Sequence, residues 1–362
     1  MLVLGIESSC DDTAAALVED GYRIVSSKIS SQDEFHRRFG GVVPEIASRR
    51  HLEVIDKVTR LCLEGANVNL TDIDAIAVTR GPGLMGSLLV GLNFAKALAF
   101  ATGLPFFGVD HLEGHLAAPF LGGSAPEYPL VSMVVSGGHT NIYLMRGYFD
   151  KELIGRTVDD AAGEAYDKVA KYIGLGYPGG RAIDELAAKG NAQRFHFPRP
   201  MIHSGDYNFS FSGLKTAVIQ QVDELFANGD PWEDASLLAD LAASFQEAVV
   251  DVLSRKLIAA AEALGVTRIA LSGGVAANSG LRKRLTDEAA DRQWEIHLPT
   301  PVHCTDNAAM VAAAGYHHLA AGEVSELDVD TYAGARDVPK GRLRKEEIGR
   351  ELPAIDPDKP GK

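Results

Sequence analysis

Leu2-Val3-Leu4-Gly5-Ile6-Glu7-Ser8-Ser9-Cys10-Asp11-Asp12-Thr13-Ala14-Ala15-Ala16-Leu17-Val18 is the stretch whose reading decides the fold. Leu2 to Ile6 is a short apolar strand, Glu7 to Thr13 a small polar turn, and Ala14 to Val18 a returning strand. Tyr22 to Ser26 reads as a third strand, so the chain opens as a meander. The same succession recurs at Leu130-Val131-Ser132-Met133-Val134-Val135-Ser136-Gly137-Gly138-His139-Thr140-Asn141-Ile142-Tyr143-Leu144-Met145. There the strand is Leu130 to Val135, the turn Ser136 to Thr140 and the return Asn141 to Met145, with a third strand near Glu152 to Ile154.

The elements after each meander also match. In the first half, Pro44 opens a helical pattern through Ile46, Val54, Ile55, Val58 and Leu61. Ile73 to Val78 is a buried-type strand that runs into Arg80-Gly81-Pro82-Gly83, a helix from about Leu84 to Ala101, and a strand at Phe106 to Val109. In the second half, a helical and loop-rich insertion near 157–235 precedes a long helix from about Ser236 to Leu264. Arg268 to Leu271 is a strand, Ser272-Gly273-Gly274 its turn, and a helix starts near Asn278. Trp294 to Leu298 is a strand, and Asp306 to Ala321 a closing helix. The repeat lies in element order, not in residue identity. It predicts an α/β fold of two duplicated lobes with a ligand in a central cleft, because glycine-rich strand-end turns face the cleft in such folds. The expected division is an N-terminal lobe at 1–125, completed by the helix within 305–330, a second lobe at 126–304, and a tail at 331–362.

Composition narrows the function classes. The 362 residues allow about two domains at ~150 residues each. Hydrophobic residues at 46% and charged residues at 23% exclude a mostly disordered chain. The 37 glycines are about a tenth of the chain but lack a Gly-X-Y period, which excludes collagen. Lys plus Arg is 35 and Asp plus Glu is 49, a net charge of −14. So acidic a chain binds polyphosphate poorly by itself, and a nucleic-acid substrate must meet a local basic patch or a basic partner. His36-Arg37-Arg38, Arg49-Arg50-His51 and Arg342-Leu343-Arg344-Lys345 are the candidate patches, and each could equally be a solvated face. Cys10, Cys62 and Cys304 have no Cys-x-x-Cys spacing, so neither a disulfide framework nor a cysteine zinc site is expected, and a reducing cytoplasm fits. No basic n-region of a signal peptide precedes the first apolar residues. No apolar run is expected to reach the ~18 residues of a membrane span; the nearest, Ala97 to Val109, is broken by Gly103 and Pro105.

Three turns have the composition of phosphate or nucleotide cradles: Glu7 to Thr13, Ser136 to Thr140, and Ser272-Gly273-Gly274-Val275-Ala276-Ala277-Asn278. Glycine lets backbone N–H groups approach an anion or a ribose, and Ser and Thr add hydroxyl donors. A single Ser-Gly-Gly is most often only a turn; three of them at the ends of apolar strands say more. None is a Walker loop or a Gly-x-Gly-x-x-Gly fingerprint. AMP or ATP is expected near Gly137, Gly138, Gly180, Gly273, Gly274 and Asn278, with Gly273→Val expected to block it. His111-Leu112-Glu113-Gly114-His115 puts two imidazoles one helical turn apart, within reach of one metal ion, although two surface histidines would look the same. Leu112 stands where a zincin protease has its glutamate, so a peptidase would lack its general base. Asp110 could orient a ring from outside the ligand set. Asp306 is a candidate third ligand and also a routine helix cap. Asp160, Glu164 and Asp167 would share a helical face, and Asp167, Gly180 and Asp184 could serve a ribose. Phe209-Ser210-Phe211-Ser212-Gly213-Leu214-Lys215-Thr216 reads as an exposed aromatic loop.

These motifs, with Gly40-Gly41-Val42-Val43-Pro44-Glu45, Gly81-Pro82-Gly83-Leu84, Asp159-Asp160-Ala161-Ala162-Gly163-Glu164 and Cys304-Thr305-Asp306-Asn307, closely resemble the bacterial tRNA N6-adenosine threonylcarbamoyltransferase (TsaD) family, formerly described as O-sialoglycoprotein endopeptidases. The resemblance runs from residue 1 to about 322. It implies a two-lobed actin-like ATPase fold of the sugar kinase and heat-shock-70 type. It implies transfer of threonylcarbamoyl from threonylcarbamoyl-AMP to N6 of the adenosine 3′ of the anticodon, in tRNAs reading codons that begin with A, with release of AMP. It implies one divalent metal ion, iron(II) first and zinc second, held by His111, His115 and Asp306. Substrate contacts implied are Val134, Val135, Ser136, Gly137, Gly138, Asp167, Gly180, Asp184 and Asn278. Partners implied are the paralogue TsaB and the small ATPase TsaE, with no membrane. The family usually reads Cys-Asp-Glu-Thr where this chain has Cys10-Asp11-Asp12-Thr13, so Asp12 keeps the charge with one methylene less. The donor is an activated mixed anhydride, so no protein nucleophile is needed, and Asp11 or Asp12 is the candidate general base.

Overall fold

The computed structural model describes residues 1–123, 125–227 and 234–334. The Arg342 to Lys345 cluster and most of the tail lie outside the described residues. In chain order the elements are β1 (Leu2–Glu7), β2 (Asp12–Glu19), β3 (Arg23–Ser31), α1 (Asp33–Arg37), α2 (Pro44–Ala66), β4 (Ala75–Gly81), α3 (Met85–Thr102), β5 (Phe106–Asp110) and α4 (His111–Ala117). Then come β6 (Leu130–Val135), β7 (Thr140–Met145), β8 (Lys151–Arg156), α5 (Ala162–Tyr172), α6 (Gly179–Ala187), α7 (Ser212–Ala227), α8 (Ala235–Leu264), β9 (Arg268–Ser272), α9 (Ser279–Arg292), β10 (Glu295–His297) and α10 (Ala308–Ala320). The chain forms two units. Among the described residues, 1–127 and 298–334 make one, and Tyr128–His297 makes the other.

The first unit is built on a sheet of order β3-β2-β1-β4-β5. β1 pairs antiparallel with β2 and parallel with β4. Both faces of the sheet are covered, as alternation of side chains requires. Val3, Ala14, Ala16, Val18, Ala75 and Ala77 point to one face, where α10 packs with Ala308, Ala309, Met310, Ala312 and Ala313. Leu4, Ile6, Ala15, Leu17, Ile76 and Val78 point to the other, against Ile55, Val58 and Cys62 of α2 and Leu92, Ala95 and Ala99 of α3. α10 lies almost on the strand backbone. A Cβ on Gly5 would come within 2.1 Å of the Ala308 carbonyl oxygen, so only glycine fits there. α2 has Pro44 in its first turn, where the missing N–H costs nothing, and stops at Asn67 in the left-handed conformation, φ 53°. α3 is apolar and long enough to cross a membrane by length and composition, a run longer than the sequence led us to expect. Its Leu88, Leu92, Ala95 and Ala99 lie in the core.

The second unit repeats the plan, with order β10-β9-β6-β7-β8. β6 pairs antiparallel with β7 and parallel with β9. α8 is buried over most of its length, is capped by the Asp234 side chain, and ends at Gly265 in the left-handed conformation, φ 66°. Two expectations fail in the insertion. Phe209 and Phe211 are fully buried, so their loop is not an exposed aromatic surface. The Asp159 carboxylate accepts from the Phe211 and Ser212 N–H groups and from the Ser210 and Ser212 hydroxyls, which turns both rings inward at the start of α7. Asp160 lies before α5 and pairs with Lys215 at 2.6 Å and Lys168 at 3.2 Å, so it shares no helical face with Glu164 and Asp167.

Candidate active site

α4 begins directly where β5 ends. Asp110, the last residue of β5, caps the helix by accepting the Leu112 N–H at 2.8 Å on Oδ1. Its Oδ2 accepts the Tyr332 hydroxyl at 2.5 Å, so Asp110 does not orient a histidine ring as expected. His111 and His115 lie one turn apart, both buried, with ring centroids 4.7 Å apart and planes at 82°. Asp306 approaches from the segment before α10. The cap of α10 is Asn307, whose Oδ1 accepts the Met310 N–H at 2.9 Å, so Asp306 is not consumed by capping. His111 Nε2 and His115 Nε2 each lie 3.3 Å from Asp306 Oδ1. The three ligand atoms lie within 4.8 Å of one another.

Burial opposes charge on all three groups, and their mutual attraction decides the outcome. Burial disfavours the His111 imidazolium, but the Asp306 and Glu7 carboxylates outweigh it and raise the His111 pKa well above the usual histidine range. Burial pushes Asp306 up, and His111 and His115 outweigh it, holding the carboxyl well below the usual carboxylate range. Burial prevails at His115 and lowers it. His115 Nδ1 is buried with no hydrogen-bond partner, while its Nε2 faces Asp306. A buried imidazole that faces a carboxylate and a second imidazole fits a divalent metal ion. Two nitrogens and one carboxylate suit zinc or iron and leave positions for substrate oxygens.

The first sequence turn sits beside this centre. Ser9 O accepts the Leu84 N–H at 2.7 Å, and Ser8 Oγ donates to Ser87 O at 2.8 Å, which pins the turn to the start of α3. His51 of α2 is buried beneath it, with Nδ1 2.7 Å from Thr13 Oγ1 and Nε2 2.9 Å from Cys10 O. The sequence offered His51 only as part of the Arg49-Arg50-His51 basic cluster; its ring is buried and belongs to this turn instead. Asp11 and Asp12 lie in the turn so held. Burial raises the Asp11 carboxyl, with Asp306 and Asp33 adding to it. Burial raises Asp12 further, to about 7, and neighbouring Asp11, Asp306 and Asp33 act in the same direction. Asp12 Oδ1 is buried with no hydrogen-bond partner.

The other two turns meet in the second unit. Val134 and Val135 end β6, and Ser272 is the register partner of Val134. A Cβ on Gly273 would lie 2.3 Å from the Val135 carbonyl oxygen, so the two turns abut. Ser136 N donates to His139 O at 2.7 Å and closes the first of them. Gly137, Gly138, Gly180 and Gly274 all face open space, with nothing within 4 Å of an added Cβ. Asp167 accepts the Gly179 N–H at 2.8 Å and so sets the start of α6. Asp184 accepts Ser279 N at 3.0 Å, Ser279 Oγ at 2.8 Å and Gln246 Nε2 at 2.9 Å. Asn278 caps α9 through Leu281 N and donates to Gln246 Oε1 at 2.7 Å. Gln246 on α8 therefore clamps two expected nucleotide contacts at once. Its place in a long helical pattern conceals that role from sequence reading.

Comparison with known proteins identifies the architecture and its family. Residues 23–313 match the family described as TsaD, tRNA N6-adenosine threonylcarbamoyltransferase. Proteins of that name from Pelobacter propionicus and Symbiobacterium thermophilum are 53% and 54% identical over 333 residues, covering 92% of this chain and 96% of each relative. A solved structure of the (R)-2-hydroxyglutaryl-CoA dehydratase component A of Acidaminococcus fermentans aligns with TM-score 0.51 at 19% identity, over 88% of this chain and 99% of that one. Full-length HypF, solved in its phosphate- and nucleotide-bound form, aligns with TM-score 0.55 at 15% identity, over 87% of this chain and 46% of that one. The fold is that of the actin-like ATPases. The chain belongs to the tRNA N6-adenosine threonylcarbamoyltransferase family, a family of transferases.

Proposed function

We propose that this chain transfers threonylcarbamoyl from threonylcarbamoyl-AMP to N6 of the adenosine 3′ of the anticodon, in tRNAs that read codons beginning with A. The observation that carries the reading is the coexistence of the His111/His115/Asp306 triad, its histidines buried and its carboxylate half-buried, with open glycine turns fit for an adenine nucleotide. In the transfer, the N6 amine attacks the carbamoyl carbonyl carbon. A new C–N bond forms, the C–O bond to the phosphate breaks with its electron pair leaving on AMP, and one N6 proton is lost.

Each group of residues takes one part in that reaction. Gly137, Gly138 and Gly274 would present backbone to the AMP moiety, where open space lets phosphate or ribose come close, and Val134, Val135 and Ser136 would lead the strand end to it. Asp167, Gly180 and Asp184 would meet the ribose, and Asn278 would hold the turn beside them. Gly273 belongs to the fold of that turn. His111, His115 and Asp306 would hold the divalent metal, iron(II) or zinc, which when bound supplies positive charge to substrate oxygens. Asp12, with a pKa of about 7, matches a base that takes the N6 proton near neutral pH; Asp11 lies beside it. Asp12 stands where the family usually has glutamate, so its shorter reach makes its placement in the His51-held turn matter more.

The same reading takes the paralogue TsaB and the ATPase TsaE as partners, supported by the chain's net charge of −14, which disfavours tRNA binding by this subunit alone. It places the protein in the cytoplasm, where tRNA is modified. Reconstitution with threonylcarbamoyl-AMP and unmodified tRNA, with nucleosides read by mass spectrometry, tests it. Absence of the modified nucleoside with every partner present would overturn the assignment.

A further inference from the structure

Glu7 belongs to the turn expected to cradle phosphate, yet the structure directs it elsewhere. Its side chain is fully buried. Oε1 accepts the Ser9 N–H at 2.5 Å. Oε2 accepts the Thr79 hydroxyl at 2.6 Å and lies 3.2 Å from His111 Nδ1. On the far side of the same ring, His111 Nε2 faces Asp306 Oδ1 at 3.3 Å. His115 has no such support, since its Nδ1 is buried without a partner. The two imidazoles of the triad are therefore held differently. One is fixed from behind by a carboxylate, and the other only by its helix and its packing.

We propose that Glu7 is a positioning residue for the metal centre: it accepts the Nδ1–H of His111 and so, once an ion takes the place of the Nε2 proton, fixes the tautomer that leaves the Nε2 lone pair to that ion. The inference rests on the metal reading of the triad. A neutral imidazole carries one ring proton, and a ligating nitrogen must be the one without it. A carboxylate behind the ring favours Nδ1–H and raises the basicity of Nε2. The Ser9 hydroxyl, 3.3 Å from the same Nδ1, is a weaker alternative acceptor, because it carries no charge. A competing explanation confines Glu7 to holding its turn against Thr79 and Ser9.

Two substitutions separate these explanations. Glu7→Gln keeps the shape, but its amide must set an N–H against either the Ser9 N–H or the His111 Nδ1–H. Thr79→Val removes a bond to the same oxygen without touching the ring. Zn2+ affinity of the full chain, measured by competition with a chelator, should weaken about 10–100-fold in Glu7→Gln. Thr79→Val should lower thermal stability and leave that affinity unchanged. Long-range 15N–1H spectra of the Zn2+-loaded wild type should place the His111 proton on Nδ1 and the metal on Nε2, a readout that needs no variant to fold. Unchanged affinity in Glu7→Gln, equal loss in Thr79→Val, or metal on His111 Nδ1 would each overturn the role of Glu7 while leaving the metal reading intact. A wild type that holds no Zn2+ would overturn the metal reading and this inference with it.

Discussion

Neighbouring glycines of one turn should answer to substitution in opposite ways. Gly273 has φ +90°, and an added Cβ would lie 2.3 Å from Val135 O and 2.6 Å from Val135 C. Gly273→Ala therefore combines a positive-φ extended backbone that side chains rarely adopt, about 1–3 kcal/mol, with overpacking against rigid main chain, about 1–3 kcal/mol. A loss of roughly 2–6 kcal/mol results from those two terms, and Gly273→Val would do worse. Gly273→Val is thus a test of folding, not of nucleotide binding as the sequence suggested. Gly138 and Gly274 have no left-handed φ and nothing within 4 Å of an added Cβ. Gly138→Ala and Gly274→Ala should each change stability by less than about 1 kcal/mol. If phosphate or ribose rests on their backbone, the added methyl should weaken AMP binding about tenfold or more, equivalent to at least ~1.4 kcal/mol. Urea denaturation measures the first effect and titration calorimetry with AMP the second. Wild-type AMP affinity in both open-glycine variants would refute the cradle. Wild-type stability in Gly273→Ala would refute the packing argument.

The same geometry sets four other expectations. Asp12 titrates near 7 when folded and near 3.8 when unfolded, so the folded state holds the extra proton between those values. Its contribution to stability is present at low pH, is lost as pH rises through that window, and is level above it. Asp12→Asn should accordingly gain stability relative to wild type as pH goes from 4 to 8, in metal-free protein followed by urea midpoints; a constant difference would dismiss the buried carboxylate. His115→Ala or Asp306→Ala should lose bound metal while the circular dichroism of the fold persists; full metal content in both would refute the triad. Gln246→Leu leaves Asp184 and Asn278 without their shared partner, and AMP binding should weaken, with unchanged affinity counting against the clamp. Arg37→Glu with Arg38→Glu should reduce tRNA binding by the reconstituted assembly, most at low salt, where charge contacts are strongest; insensitivity to salt would refute an electrostatic role for this exposed segment.

The order of elements was legible in the sequence because it is written locally. Alternating or continuous apolar runs set β1, β2, β6 and β7, and Pro44 and Gly103 mark helix ends within a few residues of where they fall. The spacing of His111 and His115 shows their shared helical face without any structure, and the motif around Asp306 nominates it as their partner. What each candidate does with its polar atoms was decided only by packing. Asp306 and Asn307 are adjacent, and either could cap α10; the fold uses Asn307 and turns Asp306 to the histidines. Asp110, beside the pair in sequence, caps a helix and meets Tyr332, while Glu7, 104 residues from His111, stands behind its ring. Gly273 and Gly274 look alike in the chain, but one lies against β6 and the other faces open space. Periodicity and turn chemistry act over a few residues, so one sequence suffices to read them. A hydrogen-bond partner is set by which strand ends and helix starts the core brings together, and that choice exists only in three dimensions.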